Sequence, residues 1–117
     1  MGRLTTHVLD TARGLPGASI PLSVYRIGPN QRLLLRRTIT NQNGRCDAPL
    51  LEGDEFTSGV YELEFDLVAY FAVSGPALPD PPFVGDVVLR IGVADAAQHY
   101  HVPLLVSPWS YSTYRGS

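Results

Sequence analysis

Apolar and polar residues alternate with a period of two along most of this chain. From Val60 to Leu67, the residues Tyr61, Leu63, Phe65 and Leu67 alternate with Glu62, Glu64 and Asp66. That pattern predicts a half-buried strand with one face on a core and a solvated acidic face. Ile20, Leu22 and Val24 alternate with Pro21, Ser23 and Tyr25, and Val87, Leu89, Ile91 and Val93 alternate with Val88, Arg90 and Gly92. Further strands are predicted over Leu33–Thr40, His99–Val106, Tyr111–Arg115 and Leu4–Leu9. Turn residues punctuate the series at Gly28-Pro29-Asn30, Asn41-Gln42-Asn43-Gly44 and Gly53-Asp54. Only Leu67–Val73 suits a short helix, ended by Ser74-Gly75-Pro76, and Pro76–Pro82 reads as an extended, proline-rich connection. Seven or eight regularly spaced strands with almost no helix predict an all-β, two-sheet sandwich of immunoglobulin-like size.

Size and composition narrow this picture. The 117 residues carry no internal repeat and read as a single domain over 1–117. By general size scaling such a chain buries somewhat more than about 60% of its unfolded surface, enough for a core without staples. A net charge of −2 and a pI of about 5.8 favour neither nucleic acid nor an anionic membrane as partner. Every basic side chain is Arg apart from three histidines, so Schiff-base chemistry and a lysine base are excluded. Cys46 is the single cysteine, which excludes an intramolecular disulfide framework. Met1 to His7 lacks the apolar run of a signal peptide, and no stretch approaches the ~20 apolar residues of a membrane span. A cytoplasmic location is expected.

The candidate chemistry concentrates near the end of the sequence. His99 and His101 stand two apart on a predicted strand and so share one face, about 6.5–7 Å apart along the chain, with Tyr100, Val102 and Leu104 on the other. Three readings compete: a polar face of hydrogen-bonded histidines, a three-histidine metal site completed by His7, and acid–base catalysis by an imidazole titrating near neutrality. His7 shares its face with Thr5 and Leu9 and joins the others only if its strand pairs with theirs. Arg45 follows the Asn43-Gly44 turn, and Cys46 beside it reads as a small buried hydrophobe. A Gly-x-Ser-x-Gly elbow, a glycine-rich phosphate loop and a Cys-x-x-Cys pair are all absent. The segment Tyr114-Arg115-Gly116-Ser117 adds a phenol, a guanidinium and an α-carboxylate, which either pair among themselves or border a pocket.

Several segments together resemble a known family. They are Leu4-Thr5-Thr6-His7-Val8-Leu9-Asp10-Thr11-Ala12-Arg13-Gly14-Leu15-Pro16, Thr40-Asn41-Gln42-Asn43-Gly44-Arg45 with Pro49-Leu50-Leu51, and Gly59-Val60-Tyr61-Glu62-Leu63. The most specific are His99-Tyr100-His101-Val102-Pro103-Leu104-Leu105 and Tyr111-Ser112-Thr113-Tyr114-Arg115-Gly116-Ser117. The sequence is similar, over essentially its whole length, to the 5-hydroxyisourate hydrolases, the transthyretin-related enzymes of urate breakdown. Gly17 departs from the alanine usual in the family.

The resemblance implies a transthyretin-like sandwich of two four-stranded sheets with one short helix. It also implies a homotetramer, a dimer of dimers, with sites at a central channel lined by the first and the last two strands. It implies no cofactor and no metal. Carried over, it makes His7, Arg45 and His101 catalytic, makes His7, Arg45, Tyr114, Arg115, Gly116 and Ser117 substrate-binding, and leaves His99 as possible support. The implied reaction is the hydrolytic opening of the six-membered ring of 5-hydroxyisourate at an amide bond. The product is 2-oxo-4-hydroxy-4-carboxy-5-ureidoimidazoline, on the way to allantoin. A neutral imidazole, assigned to His101, takes the proton of attacking water, and Arg45 stabilises the developing oxyanion. Two alternatives stand beside it: a transthyretin-like carrier of a small ligand, and a metal-dependent hydrolase using the three histidines as ligands.

Overall fold

The computed structural model describes residues 2–74 and 77–116, which form a two-sheet β-sandwich with one short helix. The first sheet contains β1 (Arg3–Asp10), β2 (Leu15–Pro16), β5 (Leu51–Glu52), β8 (Tyr100–Val106) and β9 (Tyr111–Thr113). The second, in the order β4-β3-β6-β7, contains β3 (Pro21–Gly28), β4 (Gln31–Ile39), β6 (Gly59–Phe65) and β7 (Val87–Val93). A 3-10 turn, Gly53–Glu55, and the helix α1 (Val68–Ser74) complete the regular structure among the described residues. Among the described residues, no helix is long and apolar enough to cross a membrane. The glycine and proline expected to end it, Gly75 and Pro76, lie outside the described residues.

The seven predicted strands are all present. The first sheet has five members rather than four, because the two-residue strands β2 and β5 both add to one edge of β1. The other edge of β1 carries the pairing that matters most for function. There β8 runs parallel to β1 over seven residue pairs, from Leu4↔Tyr100 to Asp10↔Val106. Leu4, Thr6 and Val8 of β1 and Tyr100, Val102, Leu104 and Val106 of β8 face the core, where they meet Leu22, Val24, Tyr61, Leu63, Phe65, Val87 and Leu89 of the second sheet. Each large apolar side chain so buried contributes roughly 1.5–3 kcal/mol.

Polar groups on the core face are satisfied. The Thr6 hydroxyl donates to the Val102 carbonyl at 2.6 Å. Asp10, 1% exposed, accepts the Ala12 and Arg13 N–H groups on Oδ1 and the Tyr70 hydroxyl on Oδ2 at 2.7 Å. This ties α1 to the end of β1. Burial and the hydrogen bond to Asp10 push the Tyr70 phenol up to about 12.

Two expectations need correction. The acidic face of β6 is solvated only in part: Glu64 and Asp66 are half-buried, and Glu62 is buried. Glu62 is buried between Arg32 of β4 and Arg90 of β7, each at 2.9 Å, while Glu64 pairs with Arg32 and Asp66 with Arg37. The guanidinium groups of Arg32 and Arg90, from the flanking strands, reach across the outer face of the sheet and hold the Glu62 carboxyl below the usual range. The second correction concerns His99, which stands before β8 rather than in it. The parallel ladder begins at Leu4↔Tyr100, and the 95–98 turn is closed by the Gln98 N–H donating to the Asp95 carbonyl. Similarly, the last strand ends at Thr113 instead of reaching Arg115.

Candidate active site

The parallel register between β1 and β8 sets Thr5 directly opposite His101 on the outer face of the first sheet. Thr5 Oγ1 and His101 Nδ1 lie 2.8 Å apart. His7 is two residues further along β1 on the same face, half-buried like His101.

The 41–45 turn delivers Arg45 to this face. The Asn41 side-chain oxygen accepts the N–H groups of Asn43 and Arg45, and the Asn41 N–H donates to the Arg45 carbonyl at 2.7 Å. Gly44 adopts φ +75°, and a Cβ there would collide with the Val8 carbonyl oxygen, so glycine is required for conformation and for space. The Val8 N–H donates to the Gly44 carbonyl at 2.8 Å, and Arg45 forms an isolated antiparallel bridge with His7.

A cleft of about 440 Å³ is lined by Arg3, Thr5, Arg45, His99 and His101. His7 is beside it, not in its lining. The His7 Nε2–H donates to the Asn43 carbonyl at 3.0 Å, since a carbonyl only accepts; this leaves Nδ1 as the free lone pair of the neutral ring. Both imidazoles titrate below the ordinary 6.5. For His101 the causes are burial, then the Arg45 charge, then His7. For His7 they are burial and Arg45, partly offset by the bond to Asn43. Two neutral bases therefore sit beside a permanent cation at neutral pH.

The terminal segment divides. The Gly116 N–H donates to the His101 carbonyl at 2.7 Å, and the glycine lies against the imidazole. A Cβ at Gly116 would come within 2.8 Å of His101 Cδ2. Arg115 instead folds back: its guanidinium donates to the His99 carbonyl and to Gln98, and stacks over the Tyr100 ring at 3.9 Å. Tyr114 and Arg115 line a different groove, with Ile91, Gly92, Tyr100 and Val102. Within one chain, then, Gly116 contacts His101, whereas the Tyr114 and Arg115 side chains do not line the cleft; Ser117 lies outside the described residues.

His99 is exposed and does line the cleft. Arg3 and Thr5 are lining residues that the sequence motifs do not single out, although alternation puts Thr5 on the face of His7. The ring nitrogens of His7, His99 and His101 do not all lie close enough to one another to share an ion. Among the described residues, the one group of three potential ligand atoms close enough to share an ion is Glu64, Asp66 and Asp86 on the second sheet. Those carboxylates are already engaged by Arg32, by Arg37 and by the Leu67 and Val68 N–H groups.

A transthyretin-type sandwich carrying a histidine–arginine cleft is thus defined, and the chain belongs to the HIUase/Transthyretin family, whose model matches residues 4–116. It is 58% identical to the 5-hydroxyisourate hydrolase of Ralstonia nicotianae over 117 residues, 100% of both chains. A crystal structure of (S)-allantoin synthase superposes with a TM-score of 0.93 at 45% identity, covering 99% of this chain and 44% of that longer one. The structure of sea bream transthyretin in complex with thyroxine gives a TM-score of 0.86 at 28% identity, covering 97% of this chain and 94% of that one.

Proposed function

We propose that this chain hydrolyses 5-hydroxyisourate to 2-oxo-4-hydroxy-4-carboxy-5-ureidoimidazoline. The observation that carries the reading is the His101 imidazole held in one cleft with the Arg45 guanidinium, where burial and then the Arg45 charge favour its neutral form. Ring opening needs a base to take a proton from water as the water oxygen bonds to the carbonyl carbon. In this mechanism His101 accepts that proton, and the π electrons move onto the carbonyl oxygen. Arg45 stabilises the resulting oxyanion. Collapse re-forms the C=O bond and breaks the C–N bond, and the proton held on His101 passes to the departing ring nitrogen. The new carboxylic acid then ionises. His7, whose Nδ1 is its free lone pair, orients the water. Gly116 supports the imidazole, and Arg115 anchors the tail that carries it. Tyr114 and Ser117 remain proposed substrate contacts, and His99 and Arg3 border the entrance.

A carrier role of the kind suggested by the thyroxine-bound relative calls for an apolar channel, whereas this cleft is lined by two arginines, two histidines and a threonine. We further propose a homotetramer, a dimer of dimers, acting in the cytoplasm, where a lone thiol such as Cys46 stays reduced. Exposed Leu15, Trp109, Tyr111 and Tyr114 on and beside the first sheet support assembly, and sedimentation at working concentration tests it. The direct test of function is the absorbance decay of freshly prepared 5-hydroxyisourate. Marked acceleration over buffer is expected, and decay at the buffer rate would rule the reading out.

A further inference from the structure

We propose that Thr5 is a positioning residue for this reaction, its hydroxyl accepting the Nδ1–H of His101 so that Nε2 presents the free lone pair to the cleft. The inference rests on the assignment of His101 as the base.

Two contacts define the orientation of the imidazole. Its Nδ1 lies 2.8 Å from Thr5 Oγ1. Its Cδ2 edge lies against Gly116, so close that no Cβ fits between them. The remaining Nε2 and Cε1 edge is left for the cleft that Thr5 and Arg45 also line. Thr5 itself is held by the β1–β8 ladder directly opposite His101, and β-branching limits the rotamers available to its hydroxyl.

A threonine hydroxyl either donates or accepts, so the tautomer is decided by what faces the other nitrogen. Arg45, from the 41–50 loop, is a donor-only cation. Arg3, at the start of β1, adds a second such group to the cleft. A lone pair at Nε2 is attracted to this field and an N–H is repelled. The single proton of the neutral ring therefore resides on Nδ1, and Thr5 accepts it.

The choice of a hydroxyl has a chemical consequence. A carboxylate in the same place would also orient the ring, but it would stabilise the imidazolium and raise the pH at which the base becomes available. A neutral acceptor fixes the tautomer without that effect. The other titratable groups facing His101 are His7 on β1 and His99 before β8. Among the described residues, the Gly116 segment brings no charge against the ring.

The test combines 15N-histidine spectra of the full chain above pH 7.5 with steady-state kinetics. In wild type, His101 is expected to show a protonated Nδ1 and an unprotonated Nε2. Thr5→Val, isosteric and favourable in a strand, should shift the ring toward the Nε2–H tautomer. It should also lower kcat on the order of tenfold with KM little changed. Thr5→Ser should restore both readouts, and Thr5→Asp should move the acid limb of the pH–rate profile upward. A wild-type spectrum with Nε2 protonated, or a Thr5→Val chain with unaltered tautomer and kcat, would overturn the proposal. An inactive wild-type chain would overturn the functional reading and with it the catalytic half of this one, while the spectrum still decides the tautomer.

Discussion

Arg45 and His7 are joined by a single antiparallel bridge on the edge of β1 that faces away from β8, between the short pairings of β2 and β5. Backbone pairing, not side-chain chance, therefore sets the guanidinium beside the histidines. The cation and the bases share one rigid strand as their reference.

Removing that cation should change both rate and pH dependence. Arg45→Gln is expected to lower kcat by at least about a hundredfold through loss of oxyanion stabilisation. The guanidinium depresses the imidazole pKa values, so its loss lets them rise toward 6.5. The acid limb of the pH–rate profile should then shift to higher pH. A profile that keeps its midpoint would show that Arg45 does not set the charge state of the base. His101→Asn should cost at least as much in kcat.

The two close-approach glycines should behave differently from each other. Gly44→Ala combines a positive φ with a collision against the Val8 carbonyl, so a loss of about 2 kcal/mol or more in stability is expected, measured by urea unfolding. Gly116→Ala presses on His101 alone. Its signature should be a fall in kcat with a melting temperature within a few degrees of wild type.

Acid should weaken the second sheet through Glu62. Its folded pKa lies below the ordinary carboxylate value because Arg32 and Arg90 hold it ionised. The stabilisation is therefore complete above the unfolded pKa, about 4.3, and is lost as pH falls through the folded value. Glu62→Gln should be less stable than wild type at pH 7, and the gap in melting temperature should narrow below about pH 4. A constant gap across that range would contradict the assignment.

Tyr70→Phe removes the hydroxyl that donates to buried Asp10. Leaving Oδ2 unpartnered among buried groups should cost roughly 1–3 kcal/mol. The Asp10 and Tyr70 pair holds α1 rather than the cleft, so kcat should stay near wild type.

The alternation of β1 and β8 was legible in the sequence because each strand has one face in the core and one outside. It separated Thr5 and His7 from Leu4 and Thr6, and His101 from Tyr100 and Val102. Alternation says nothing of partner or direction, so the facing of Thr5 and His101 across a parallel ladder, 96 positions apart, emerges only in three dimensions. The same limitation explains the misreading of Glu62: its neighbours Arg32 and Arg90 belong to strands far away along the chain. The tail divides in a way that spacing does not foretell. Tyr114, Arg115 and Gly116 are contiguous, yet Arg115 is captured by the Tyr100 ring and the His99 carbonyl, while Gly116 meets the imidazole. No spacing rule divides three adjacent residues between two sides of a sheet. The cleft itself was legible chiefly through family resemblance, which brought Arg45 to the histidines before any geometry could.

The parallel union of β1 with β8 also governs when the site can exist. Contacts between β1 and β8 cost the entropy of closing a long loop, with Thr5 and His101 separated by 96 positions, and such long-range pairings form slowly. On a ribosome, β1 must wait while the 96 positions that separate Thr5 from His101 are made before its partner emerges. Enzymatic competence is therefore a late event in the life of each molecule, and recovered activity after dilution from denaturant should report completed closure, lagging behind signals from the β3–β4 hairpin.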